Sequence, residues 1–253
     1  FNILPCRLVR FTVSVIVFTI VFLLCVLHHV KAEAIIIDGK FGDWDQKVEI
    51  LVDPVDAEDG FVDLGSIRYA SDGPHLHLML ELRRVVNLQA MDGQLTIYFD
   101  ADGDVTTGRT DGPLPGVDLA IVCTAPTNRR TEAAGMGLAV EVYHRSPTND
   151  AVWRESPYAL GISFAPTIAS PQSELRIERG VRLHDRALFA GKKVTMRIIA
   201  TTVAGDVVDA IPSLTLRLPE LEKTPWKPVN EVSLERMAGN HLRVITWLSL
   251  IHI

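Results

Sequence analysis

The sequence predicts an all-β protein, a jelly-roll-like antiparallel β-sandwich with an N-terminal signal helix and a disordered or partial C-terminal tail. Three observations carry this reading. Short apolar runs alternate with period two, as in His75-Leu76-His77-Leu78-Met79-Leu80-Glu81-Leu82, where four leucines share one face. Asp-Gly, Asp-Gly-Pro and proline-rich turns separate about nine such runs. After the first 34 residues no long segment has a 3.6-residue period, so the helices that a parallel sheet needs are missing.

In residues 1–34, Arg7 and Arg10 precede an uncharged apolar run over 11–27, and Ala32-Glu33-Ala34 gives a small-x-small cleavage pattern. This reads as a secretory signal peptide. The alternative is an uncleaved anchor, because 17 apolar residues reach the lower edge of a membrane span. Bulky Leu24 before Cys25 argues against lipidation. Cys6 and Cys25 leave with the signal and Cys123 remains, so no internal disulfide is expected and the fold must rest on its core or on a metal.

The exported domain is expected over 35–218. Its strands are read at 34–37, 48–52, 65–70, 75–82, 94–100, 117–123, 138–144, 174–178 and 193–203. On the strand 75–82 the leucine face should be buried and the His75, His77, Met79 and Glu81 face solvated. A linker is expected over 219–240, where Pro219, Pro225 and Pro228 interrupt any regular element. Residues 241–247 read as the first strand of a truncated second domain. Residues 248–253 resemble a translated sequencing adapter, and with Phe1 in place of Met both ends are expected to be cut short.

A composition of 47% hydrophobic and 22% charged residues excludes a wholly disordered chain. Removing residues 1–34 lowers Lys plus Arg from 25 to 22 and Asp plus Glu from 31 to 30, which moves the net charge from -6 to -8. An acidic body repels polyphosphates, so no nucleic-acid partner is expected, while cations are natural ligands. The protein is expected to be secreted or periplasmic, monomeric, and without a stable membrane partner once the signal is removed.

The sharpest cluster is Asp100-Ala101-Asp102-Gly103-Asp104, which leaves the strand 94–100 and runs through Thr107 and Gly108. Carboxylates at i, i+2 and i+4 repel one another unless a hard cation neutralises them, and oxygen-only ligands suit structural calcium. Val105 stands where the helix-flanked calcium loop has glycine, so this would be a calcium loop on a β scaffold. The alternative is a solvated acidic turn. For a carbohydrate ligand the candidate residues are Trp153, Arg154, Glu155 and Tyr158, an aromatic platform beside hydroxyl-binding groups; the alternative has Trp153 capping the core edge. His75 and His77 could ligate a transition metal, or with Met79 a haem; the alternative leaves them on a solvent face. There is no nucleophile elbow, Cys-x-x-Cys or His-Glu-x-x-His, and the sandwich is expected to be non-catalytic.

The opening IIIDGKFGDWD, the strand GSIRYASDGPHLHLMLEL, the loop IYFDADGDVTTGRTDG and PGVDLAI together resemble the family 9 carbohydrate-binding module and its relatives. The resemblance spans residues 35–218 and implies a calcium-containing β-sandwich. It implies metal ligands at Asp100, Asp102 and Asp104, with Asp118 in a supporting place. That family holds a terminal sugar between two tryptophans, and no such pair aligns here. Residues 241–247, HLRVITW, resemble the first strand of the endonuclease/exonuclease/phosphatase superfamily, although Leu248 replaces the asparagine that follows there. This implies, as the alternative function, the N-terminal scaffold of a secreted metal-dependent phosphoesterase whose catalytic part lies beyond residue 247.

Overall fold

The computed structural model describes residues 34–44, 49–57, 61–125, 138–146, 149–183, 186–187, 189 and 191–221. Residues 1–33 of the expected signal segment 1–34, most of the linker, the expected strand 241–247 and the tail 248–253 lie outside the described residues. No helix among the described residues is long and apolar enough to cross a membrane.

Fourteen strands are present among the described residues: β1 (Glu49–Val52), β2 (Leu64–Ser71), β3 (His75–Val86), β4 (Gln94–Asp100), β5 (Leu119–Cys123), β6 (Leu138–Ser146), β7 (Asn149–Glu155), β8 (Ser163–Ala165), β9 (Ser170–Glu178), β10 (Arg182–Leu183), β11 (Arg186–Ala187), β12 (Lys193–Thr201), β13 (Val207–Ala210) and β14 (Leu214–Arg217). The five-stranded sheet runs β1-β2-β3-β9-β8. The seven-stranded sheet runs β13-β12-β4-β5-β6-β7, with β14 sharing the outer edge of β12 with β13. Every pairing is antiparallel.

Period-two alternation produces the sandwich. Leu76, Leu78, Leu80 and Leu82 of β3 and Leu175 and Ile177 of β9 face Leu95, Ile97, Phe99, Ile121, Met196 and Ile198 of the other sheet in one core. Cys123 is buried among them. Core residues sit at alternate positions along each strand, so a register slip of one residue would turn the apolar set outward.

The outer faces are also covered, which corrects two expectations. Residues 34–37 form no strand. The segment 34–44 instead lies over the outer face of the five-stranded sheet and ends in a short 3-10 turn, Gly42–Trp44, with Trp44 fully buried. The carboxylate of Glu174 on β9, cross-strand partner of Met79, accepts hydrogen bonds from Asp38 N (2.9 Å), Gly39 N (2.7 Å) and Trp44 Nε1 (2.9 Å). The main-chain donors of Asp38 and Gly39 are thus spent on a side chain instead of a strand partner. On the second face of β3, His77 and Met79 are each 2% exposed, whereas His75 and Glu81 are half-buried, so the expected solvated face is covered in its middle. On the seven-stranded sheet the β4–β5 connection folds back over Ala120, Tyr98 and Tyr143 and seats Leu114 and Val117 on them.

Candidate functional site

The β4–β5 connection begins at Asp100, the last residue of β4, and ends at Asp118, immediately before β5. Because the two strands are neighbours, its ends are necessarily close. Asp118 Oδ2 accepts hydrogen bonds from Ala101 N (2.9 Å) and Asp102 N (3.3 Å), which closes the loop across its base. Asp100 Oδ1 accepts from Gly103 N at 2.8 Å. One carboxylate oxygen from each of Asp100, Asp102 and Asp118 lies within 4.8 Å of the others. Asp100 and Asp118 are buried. Burial, reinforced by the Asp102 charge, raises the Asp100 carboxyl above its ordinary pKa, against the opposing Gly103 hydrogen bond.

The glycines of the loop have a steric cause. Gly108 has φ of +59°, and a Cβ there would sit 2.2 Å from Val117 O. Gly116 has φ of +78°, and its Cβ would meet Val105 Cα at 2.7 Å. Only glycine permits both close approaches, which bring Arg109 into an antiparallel bridge with Val117 and deliver Asp118 to the triad. The Thr107 hydroxyl lies 3.1 and 3.0 Å from the Asp102 carboxylate oxygens and orients that side chain. Of the four residues read from the sequence as metal ligands, three converge. Asp104 stands apart from the triad, and its Oδ1 receives Thr106 N and Oγ1 (2.9 and 2.6 Å). Asp118 is a full member of the triad, beyond the supporting place the resemblance implied.

The carbohydrate candidates are spread over two places. The backbone of Trp153 lies on β7 opposite Val142, and its side chain lies outside the described residues. Arg154 is on the same strand, with Nε 3.3 Å from Glu141 Oε1 on β6. Glu155 closes β7 in a half-buried position. Tyr158 sits in the 3-10 turn Pro157–Leu160, which Ser156 caps by accepting from Tyr158 N and which Gly161 ends in the left-handed conformation. Pro157 and Leu160 anchor the turn in the core while the Tyr158 ring stays 73% exposed. It stands at a cleft of about 400 Å³ lined also by Gln89, Ser163, Phe164 and Arg176.

Two features went unread in the sequence. A larger cleft of about 730 Å³ lies between the β3–β4 and β12–β13 turns and is lined by Phe61, Arg84, Met91, Asp92 and Asp206 among others. Its residues come from three separate segments, 61–62, 84–93 and 200–208, so no local motif announces it. The second feature is a group of four carboxylates, Asp53, Asp56, Asp63 and Asp209. Its only local signal was the acidic stretch over 53–63.

His75 Nδ1 and His77 Nε2 approach the Asp72 carboxylate at 3.1 and 3.3 Å. Burial lowers the His77 pKa, against the opposing hydrogen bond to Asp72. Its Nδ1 is buried with no hydrogen-bond partner, so a second ring proton would be a stranded donor.

No protein-family model matches the chain, and comparison with curated proteins gives no match.

Proposed function

We propose that residues 35–218 act as an exported, non-catalytic accessory module that binds carbohydrate and is stabilised by structural calcium. The observation that carries the ligand half is Tyr158. A large aromatic ring left 73% exposed on a turn locked by a serine cap, a proline and a left-handed glycine forms a preordered stacking platform. The apolar face of a pyranose can lie on the ring while Gln89, Ser163 and Arg176 in the adjoining cleft meet its hydroxyls. Arg176 is already oriented by donating from Nη2 to Ser163 Oγ at 3.1 Å, and its Nε is a buried donor without a partner.

The calcium half rests on donor chemistry. Asp100, Asp102 and Asp118 offer only carboxylate oxygens, two of these side chains are buried, and the cluster is spaced for one hard cation. Bound there, the ion would neutralise the loop base and fix the start of β5.

The test is a glycan array followed by titration of the best ligand. Reproducible saturable binding that falls at least tenfold in Tyr158→Ala, with melting unchanged because the ring is exposed, is the expected outcome. Silence of both proteins across the array removes the carbohydrate reading and leaves the scaffold of a phosphoesterase as the better description.

A further inference from the structure

Four aspartates from three parts of the chain meet at one rim of the sandwich. Asp53 follows β1, Asp56 lies in the connection to β2, Asp63 immediately precedes β2, and Asp209 is on β13 of the opposite sheet. One carboxylate oxygen from each lies within 4.8 Å of the others. Asp53, Asp63 and Asp209 are 4%, 9% and 5% exposed, while Asp56 is open to solvent and supplies a way in.

The internal partners do not satisfy this charge. Asp209 Oδ2 accepts from Leu64 N at 2.7 Å. Arg83 places Nε 3.7 Å from Asp63 Oδ1 and spends an Nη2 donor on the main-chain oxygen of Asp53. Asp53 Oδ2 is buried and has no hydrogen-bond donor. A buried, unbonded carboxylate oxygen surrounded by three further carboxylates is costly, and folds retain such atoms where something else supplies the positive charge. Burial first, then Asp209, Asp56 and Asp63, push the Asp53 carboxyl up to about 6, with Arg83 opposing.

We propose that Asp53, Asp56, Asp63 and Asp209 form a calcium site, separate from the β4–β5 loop, that ties the two sheets together at their rim. The ligand set is oxygen-only and strongly anionic, which selects a hard divalent cation over zinc or copper. Calcium takes oxygens at 2.3–2.6 Å in a flexible shell, and four carboxylate oxygens within 4.8 Å of one another can share one such ion. Magnesium would ask for a tighter octahedron and keep more of its water. Asp209 and Leu64 are 145 residues apart in sequence, so an ion here would close a long loop between the sheets. This inference does not depend on the carbohydrate reading, nor on calcium at Asp100.

The experiment counts calcium ions on the full chain by native mass spectrometry and by calorimetric titration with the metal alone. Two ions are expected for the wild type, one for Asp53→Asn, one for Asp102→Asn, and none for the double variant. A single ion that persists in Asp53→Asn and disappears in Asp102→Asn overturns the inference, as does the absence of any bound ion. A single ion lost in Asp53→Asn and kept in Asp102→Asn upholds it and instead removes the β4–β5 site. Should Asp53→Asn fail to fold, Asp56→Asn leaves the buried groups intact and is expected to weaken one of the two affinities at least tenfold; unchanged affinities overturn the inference. Displacement of calcium by an equal concentration of magnesium would contradict the selectivity.

Discussion

The neutral form of His77 is set by its surroundings. It is 2% exposed, with Asp72 and His75 facing it from its own hairpin and Arg176 from β9. Burial is the largest influence and lowers its pKa below the ordinary 6.5, so between that lowered value and 6.5 the unfolded chain binds the extra proton. The stabilising contribution is complete above pH 6.5 and is lost as pH falls through the folded-state value. Chemical denaturation of wild type and His77→Gln should therefore diverge as pH is lowered from 7.5 to 5, with the wild type losing up to about 1.4 kcal/mol more per pH unit. Parallel profiles would mean that His77 carries no such linkage. Residue-scale reading of the sequence placed the β3 leucines correctly but left His77 in solvent. Alternation marks which residues share a face and is silent on whether another segment covers it.

At the scale of the element, the β4–β5 connection was the most legible part of the site. Asp100, Asp102, Gly108, Gly116 and Asp118 are close in sequence, and their spacing maps directly onto a loop closed at its base. Gly108→Ala is expected to break this closure, because a Cβ 2.2 Å from Val117 O and a φ of +59° both oppose it. Destabilisation of about 2–3 kcal/mol with weakened calcium binding is expected, read by denaturant melts with and without the metal. An alanine variant with unchanged stability and calcium affinity would show that the loop tolerates another path. Strands β3, β4 and β12 were plain from alternation, whereas β8, β10, β11, β13 and β14 are four residues or shorter and carry too few alternations to register. β7 was missed for another reason: Asn149-Asp150 at its start and Arg154-Glu155 at its end give it the composition of a loop. Residues 34–37 were misread because an apolar β-branched run suits a buried covering segment as well as a strand.

For the whole molecule, two sheets with complementary apolar faces account for most of the cohesion, and the acidic clusters lie where chain segments converge at their margins. The Asp53, Asp56, Asp63 and Asp209 cluster was not legible because its fourth member arrives from the far end of the domain and only the fold unites them. Residues 35–253 carry a net charge of -8, part of it gathered in these clusters, and a bound cation would offset the repulsion there. The most direct measurement is thermal melting of the full chain in calcium and in chelator. Calcium at a hundredfold its dissociation constant should add about 2.7 kcal/mol per site and raise the midpoint by several degrees. Asp102→Asn should retain a smaller rise, and Asp102→Asn combined with Asp53→Asn should show none. Superimposable wild-type melts in calcium and chelator would contradict calcium stabilisation at either cluster.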